Sequence, residues 1–278
     1  MDNNISVIIL TYNEELNISQ ALDSVCDWAG EIFILDSFSA DKTLEIASNY
    51  NCTVYKNEFE SFSKQRNYAL DKLPIQTEWV LFLDADEWAP EELKNEISSV
   101  IKNNPKENGF YIKFKFIWMD KWIKRGIYPT WILRLFRLNS ARCEDRSVNE
   151  HLIVDGNCGK LQNDFIHEDR KGISAWIAKH NKYATLEANE LFKNINQDKY
   201  IKASLFGTQG ERKRWLRYNV WNQLPPLIRP FFYFFYRYIF RGAFLEGKEA
   251  FIYHMLQAFW YRFLIDVKYL YIKRSRMD

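Results

Sequence analysis

The sequence predicts an α/β fold, a largely parallel sheet flanked by helices that gives way to a mixed sheet and then to an amphipathic helical extension. Three observations predict it. Short apolar runs alternate with helically spaced segments through the first hundred residues, with brief linkers between them. After Asn104 the strand-like runs lengthen and the helices between them disappear. From Glu211 onward the composition shifts. Of the 47 Phe, Trp and Tyr residues, 20 lie between Trp215 and Tyr271, and from Glu211 to the end thirteen Lys and Arg face five Asp and Glu.

Ile5 to Leu10 is a run of β-branched and apolar residues that predicts a strand buried on both faces, and Thr11-Tyr12-Asn13 closes it. Leu16, Ile18, Ala21, Leu22 and Val25 have the spacing of a helix over 14–25. Ile32 to Leu35 repeats the strand and ends at Asp36-Ser37. Asp41 can cap a helix over 42–49, Cys52 to Tyr55 forms a third strand, and Ser63 to Leu73 a helix with Tyr68, Ala69 and Leu73 on one face. Trp79 to Leu83 is the fourth strand. It runs into Asp84-Ala85-Asp86-Glu87, after which Pro90 opens another helix. Phe110 to Trp118, Trp131 to Leu138 and Cys158 to Ile166 are the longer strands of the mixed sheet. A helical pattern resumes from Ser174 to Phe192, and Ser204 to Gly210 reads as a connector.

Composition narrows the class. A chain of 278 residues that is 47% hydrophobic and 27% charged can bury a sizeable core, which excludes disordered, collagenous and disulfide-scaffold proteins. Cys26, Cys52, Cys143 and Cys158 contain no Cys-x-x-Cys pair, so neither a zinc ribbon nor a redox dithiol is expected. The first residues run into a strand without a basic stretch or a small-residue cleavage site, which predicts a cytoplasmic location.

In open α/β sheets ligands bind outside the carboxyl ends of the strands. Here that edge would collect Thr11, Asn13 and Glu14 from the first strand, Asp36 from the second, and Asp84 and Asp86 from the fourth. Two carboxylates on a short turn supply hard oxygen ligands to Mg²⁺ or Mn²⁺ and leave positions for water and phosphate oxygens. Asp-x-Asp is common in surface turns, but a strand as apolar as Trp79-Val80-Leu81-Phe82-Leu83 is not needed to build one.

Taken together, these residues resemble a known family. Ser6 to Glu15, Ile34-Leu35-Asp36-Ser37, Gln65-Arg66-Asn67 and Leu83 to Glu87 have the order and spacing of family 2 glycosyltransferases with the GT-A fold. Trp122-Ile123-Lys124-Arg125-Gly126, Tyr128-Pro129, Arg134 to Arg137 and Val148-Asn149-Glu150 look like the branch containing lipopolysaccharide-core β-1,4-glucosyltransferases. Phe244-Leu245-Glu246-Gly247 and Trp260 to Phe263 are similar to the C-terminal extensions of bacterial surface-glycan transferases. The resemblance implies a GT-A domain over 1–203, with a donor half to about 104 and an acceptor half beyond it, followed by a membrane-association region over 204–278. It also implies roles. Thr11, Asn13 and Glu14 would border the nucleotide base, Asp36 would contact base or ribose, Arg66 would lie near the donor, Asp84 would hold the ribose, and Asp86 the metal.

Glu150 matches the family's acceptor-activating carboxylate, the group that takes the proton from a sugar hydroxyl as it attacks the anomeric carbon. Asn149 stands where the branch usually has His, and Asp145 is the alternative base. His167, between Phe165-Ile166 and Glu168-Asp169, matches a late metal ligand of GT-A enzymes. His151 is placed to bind acceptor, whereas His180 and His254 lie on helical patterns and need no special role. Arg134 and Arg137, three positions apart on one strand, point to opposite sides, so at most one faces the cleft.

The tail invites its own reading. Pro230 to Tyr236 is very apolar, but Arg229, Arg237 and Arg241 interrupt it well short of the ~20 residues of a spanning helix. Lys248 to Lys273 has an amphipathic spacing with Glu249, His254, Gln257, Arg262, Asp266 and Lys273 as its polar positions. Together with Arg212-Lys213-Arg214 this suits an anionic membrane surface at the inner face of the plasma membrane. A homodimer through the same region is the other reading, and no nucleic acid is expected because no recognition module accompanies the basic cluster. The expected function is an inverting transferase using a nucleotide-sugar donor, UDP-linked, and a glycan or lipid-linked acceptor. The alternatives are a nucleotidyltransferase, although Thr11-Tyr12-Asn13-Glu14 lacks the usual glycine, and an inactive glycan-binding scaffold.

Overall fold

A computed structural model describes residues 4–144, 151–192, 204–207 and 209–275. The chain packs as two compact units: Met1–Trp122 with Tyr128–Lys171, and Ile123–Ile127 with Gly172–Asp278. The helix expected over 174–192 is thus part of the second unit, not the first.

In the first unit the elements run β1 (Ile5–Thr11), α1 (Ile18–Asp23), β2 (Glu31–Asp36), α2 (Thr43–Ala47), β3 (Thr53–Lys56), α3 (Phe62–Lys72), β4 (Trp79–Asp84), β5 (Glu87–Trp88), α4 (Glu91–Lys102), β6 (Gly109–Trp118), β7 (Lys121–Ile123), β8 (Trp131–Arg137), β9 (Ala141–Cys143), β10 (Leu152–Val154) and β11 (Cys158–His167). The main sheet has the order β3-β2-β1-β4-β8-β6-β11-β5, with β7 paired to β6, and β9 with β10 forms a separate hairpin. Strands β1 to β4 are mutually parallel, and β8 enters antiparallel beside β4 with Leu81 opposite Leu135. That is the expected change from parallel to mixed sheet.

Both faces of the parallel half are covered, so its strands are apolar throughout. Because side chains alternate along a strand, Ile5, Val7 and Ile9 of β1 and Trp79, Leu81 and Leu83 of β4 join a core with α1 and α4. Ile8, Val80 and Phe82 face the other way and pack with Ala69 and Leu73 at the α3 end. Helix α1 is shorter than its spacing suggested, since residues 14–17 form a turn in which the Glu14 carbonyl accepts the amides of Asn17 and Ile18. The N-cap of α2 is Lys42, whose side chain makes no capping bond; Asp41, expected to cap this helix, lies one residue earlier and accepts the Thr43 amide at 3.0 Å.

The second unit contains α5 (Gly172–Phe192), α6 (Gln209–Asn219), α7 (Arg229–Phe235), a π-helical turn Tyr236–Phe240, α8 (Lys248–His254), a second π-helical stretch Met255–Trp260 and α9 (Tyr261–Arg274). Ala184 of α5 packs against Tyr261 and Ile265 of α9. Several polar residues of this unit point inward: of the positions the amphipathic spacing made polar, His254 and Asp266 are buried, Glu249, Gln257 and Arg262 are half-buried, and Lys273 is exposed. Arg229 and Asp266 are 3% and 0% exposed and form an ion pair in which Arg229 Nε lies 3.0 and 3.1 Å from the two carboxylate oxygens. Arg229 Nη2 also donates to Asp266 Oδ1, and the Leu227 amide donates to Oδ2 at 2.9 Å. Buried Glu187 accepts the Tyr261 hydroxyl at 2.6 Å and lies 3.4 Å from both Arg217 and Arg262. The physical reason is pairing: each inward charge finds an opposite charge or a backbone dipole. Arg214 also turns inward, so Arg212-Lys213-Arg214 is not a continuous basic surface.

Two motifs from opposite ends of the sequence interlock here. Glu246 accepts the backbone amides of Lys124 and Arg125 at 3.0–3.1 Å, and His254 Nε2 donates to the Arg125 carbonyl at 3.2 Å. Gly126 has φ +78°, and a Cβ there would meet His254 at 2.8 Å and the Arg237 carbonyl at 3.1 Å, so only glycine fits. Arg237 Nε in turn donates to the Gly126 carbonyl at 3.0 Å. No helix among the described residues is long and apolar enough to cross a membrane.

Two outcomes follow for stability. Asp266→Ala, which strands the Arg229 guanidinium in the interior, should cost about 3–5 kcal/mol in chemical denaturation, while Arg229→Met with Asp266→Leu should recover most of it. Burial pushes His180 and His254 down to about 4, so the unfolded chain binds protons that the folded one refuses. Thermal stability should therefore begin to fall near pH 6.5, before most carboxylates titrate, and a melting temperature flat from pH 7 to 5 would remove this contribution.

Candidate active site

The carboxyl ends of β1, β2 and β4 lie side by side because the strands are parallel and in register, Thr11 opposite Asp36 and Leu10 opposite Asp84. Thr11 and Asp36 are buried and bond each other, the Thr11 hydroxyl donating to Asp36 Oδ1 at 2.8 Å. Asp36 also accepts the Ser39 amide at 2.8 Å and the Ser39 hydroxyl at 2.5 Å. These bonds fold the loop after β2 back on itself and hold Phe38 at φ +61°, a conformation costly for a residue with a Cβ. Its ring is left exposed, as is that of Tyr12 on the neighbouring strand end.

Asn13 is also left-handed, at φ +53°, a position Asn tolerates. Its amide donates to the Ser39 hydroxyl, and its side-chain carbonyl accepts the Ala40 amide at 2.8 Å. Glu14 pairs with Lys171 and accepts a bond from Asn17 at 2.8 Å; burial raises its pKa above the usual carboxylate range. An open pocket of about 400 Å³ lies here, lined by Asn13, Glu15, Leu16, Ala40, Asp41 and Lys171. Asn13 therefore reaches this pocket, whereas Thr11 and Asp36 brace the loop beside it.

Asp84, at the end of β4, sits in a charged cluster. Arg66 of α3 donates to Oδ1 at 3.1 Å, and Arg134 of β8 donates to Oδ1 at 3.2 Å and to Oδ2 at 2.5 Å. Arg134 reaches Glu87 Oε1 at 2.9 Å as well, and the other Glu87 oxygen accepts the Asp84 amide at 3.1 Å. Two guanidiniums thus balance two carboxylates. Burial alone would raise the Asp84 pKa, but Arg134 and Arg66 overcome it and hold the carboxyl far below its usual range. Arg137 points to the opposite side, pairing with Glu78 and stacking on Trp79 at 4.6 Å, as its spacing from Arg134 requires.

Asp86 is brought to His167 by the pairing of β5 with β11, in which His167 lies opposite Glu87. His167 Nε2 is 3.6 Å from Asp86 Oδ2 and Nδ1 is 3.5 Å from Glu87 Oε1, while Phe114 and Phe116 flank the ring. Among the described residues, no group of three or more His, Cys, Asp or Glu is arranged to hold a metal ion. Asp86 and His167 are a two-donor set.

Glu150 and Asp145 lie outside the described residues, in the stretch 145–150 that joins β9 to β10. The strands on either side are anchored. Asn67 exchanges two 2.9 Å bonds with the Cys143 backbone, and buried Glu144 contacts His151 Nδ1 at 2.8 Å. The sequence reading missed Glu87 and gave Arg134 no firm place. An arginine set between Leu133 and Leu135 in the apolar run of β8, and an acid directly after Asp84-x-Asp86, were the available signals.

A profile of the family described as "Glycosyl transferase family 2" matches residues 6–154. An uncharacterized glycosyltransferase of Rickettsia felis is 26% identical over 92% of this chain and 86% of its own length. One from Rickettsia bellii is 25% identical over 71% of each. Mannosyltransferase PcManGT from Pyrobaculum calidifontis, solved in complex with GDP-Man and Mn²⁺, superposes with a TM-score of 0.56 at 18% identity, covering 97% of this chain and 88% of that one. The curled mixed sheet with its flanking helices is accordingly of the GT-A type. The matched stretch begins in β1 and ends in β10, and it contains the strand ends bearing Asp36, Asp84 and Asp86; the chain belongs to glycosyltransferase family 2.

Proposed function

We propose that the protein is a metal-dependent, inverting hexosyltransferase that takes a sugar from a UDP-linked donor, UDP-glucose in the first place, and passes it to a lipid-linked or lipopolysaccharide-core glycan. The observation that carries this reading is the convergence of Asp84 and Asp86 with Arg66, Arg134 and His167 at one strand edge. Family membership favours glycosyl transfer over the nucleotidyl transfer considered from the sequence. Motifs around Lys124, Tyr128 and Glu150 support the core-glucosyltransferase branch and hence the acceptor class.

In this reading Asn13 and Glu14 border the base beside the open pocket, with Thr11 and Asp36 behind them shaping its wall. Asp84, kept ionised by its arginines, accepts hydrogen bonds from the ribose hydroxyls. Asp86 and His167 hold the divalent ion: the carboxylate suits Mg²⁺ or Mn²⁺, and the imidazole favours Mn²⁺ of the two. Bound there, the ion supplies positive charge to the departing nucleoside diphosphate. Glu150 removes the proton of the acceptor hydroxyl as that oxygen attacks the anomeric carbon from the face opposite the leaving group. A single displacement of this kind inverts the configuration. The acceptor's lipid end would lie at the inner, anionic face of the plasma membrane, with residues 204–278 holding the enzyme there. A homodimer through that region is the second reading, since exposed aromatics would serve either.

Hydrolysis of a panel of nucleotide sugars tests enzyme status and donor together, and no turnover of any donor would end the proposal. Mn²⁺ should tighten UDP binding to the wild type by about tenfold or more, equivalent to about 1.4 kcal/mol, and should leave Asp86→Ala unaffected. Calorimetric titration with and without the ion measures both, and an equal gain in the two proteins removes Asp86 from the metal site. Glu150→Gln keeps the side-chain shape but cannot take a proton, so transfer should fall about 10²–10⁴-fold while UDP affinity stays near that of the wild type. Near-normal transfer would move the base to Asp145.

A further inference from the structure

The second unit is built inside out over one stretch. Between Ile228 and Phe251 the ionic groups are drawn inward: Arg229 to Asp266, Arg237 to the Gly126 carbonyl, and Glu246 to the amides of Lys124 and Arg125. Large apolar side chains take the outside. Phe231, Phe232, Phe235, Phe240, Phe244 and Leu245 are 47–81% exposed on the same short stretch, Phe240 at 81% and Leu245 at 61%. A soluble surface rarely exposes so many large side chains together. The π-helical turn Tyr236–Phe240 contributes to the display, with buried Arg237 on its inner side and Tyr236, Ile239 and Phe240 outside.

The charges that remain exposed on this stretch have one sign. Arg241 and Lys248 are exposed, and no exposed acid lies between Ile228 and Phe251; Lys124 and Arg125, held beside it by Glu246, are exposed too. Cations rimming an aromatic surface complement anionic lipid headgroups, whereas a second copy of the same surface would set these cations against their counterparts.

We infer that the face carrying Phe231, Phe232, Phe235, Phe240, Phe244 and Leu245 inserts into the headgroup–acyl boundary of an anionic bilayer, with Arg241, Lys248, Lys124 and Arg125 at its rim. The inference rests on the membrane reading given under Proposed function and specifies which surface performs it. Insertion removes the aromatic area from water, and the rim charges add an electrostatic attraction that salt screens. Arg229 and Arg237, which interrupt the apolar run, and Asp266, a polar position of the amphipathic spacing, brace the platform from within.

Co-sedimentation of the full chain with phosphatidylcholine vesicles, alone or mixed with phosphatidylglycerol, tests this face. The wild type should bind the mixed vesicles about tenfold more tightly than the neutral ones, and added salt should weaken binding without abolishing it. Phe232→Asp with Phe240→Asp and Leu245→Asp should lower binding to mixed vesicles at least about tenfold, with an unchanged circular dichroism spectrum and unchanged donor hydrolysis. Arg241→Glu with Lys248→Glu should remove the preference for the mixed vesicles. Wild-type binding that the aromatic variant retains in full overturns this face and leaves membrane attachment standing. Wild type that binds neither vesicle overturns both, and a dimer abolished by the aromatic variant would assign the face to subunit contact instead. Vesicle binding without turnover of any nucleotide sugar supports the face and counts only against glycosyl transfer.

Discussion

The bridge from Arg134 to Asp84 and Glu87 is the constraint around which the first unit's site is arranged. Asp84 and Glu87 lie three residues apart on one turn, and without a cation between them their charges would repel in a partly desolvated place. Arg134 resolves that conflict from the neighbouring antiparallel strand and is 4% exposed in doing so. Its pairing also couples three backbone elements. β8 is tied to the end of β4, Glu87 closes the turn that leads to β5, and β5 carries its register to β11, where His167 sits. Asp86 faces His167 because of this chain of contacts.

Much of this was legible in the sequence, and the part that was not has a common cause. The apolar runs at Ile5–Leu10, Ile32–Leu35 and Trp79–Leu83 announced parallel strands, since only strands covered on both faces can be so uniformly apolar. Their polar ends then named the edge where Thr11, Asp36 and Asp84 meet. What local spacing could not give was the partner of each polar group. Asp36 reads as a ligand-binding carboxylate, yet two of its bonds return to Ser39 and one to Thr11. Arg134 reads as one of two arginines on a strand, and only the pairing of β8 with β4 selects it over Arg137. Such choices depend on which strands become neighbours.

The tail shows the same limit in a sharper form. Helical spacing identified a polar set, Glu249, His254, Gln257, Arg262, Asp266 and Lys273, but period alone does not say which side of an amphipathic helix is wet. Here His254 and Asp266 are fully buried, and Phe240 is among the most exposed side chains. Hydrophobicity would have ordered them oppositely had each helix stood alone. Ion pairs and backbone carbonyls met across the bundle decide the outcome, because they satisfy charges that water would otherwise have to solvate.

The excursion Ile123–Ile127 bears on how such proteins can be recombined. These five residues belong to the second compact unit although the chain on both sides of them belongs to the first, and Glu246, Arg237 and His254 each bond to their backbone. The helical unit is therefore not a cassette that begins at one junction. A chimera that exchanged only the stretch after Lys171 would separate Glu246 from the amides it caps and leave Gly126 beside an unmatched surface. Exchange between relatives has to move two separate pieces of sequence at once, which makes the Lys124-Arg125-Gly126 and Leu245-Glu246-Gly247 segments inheritable only as a pair.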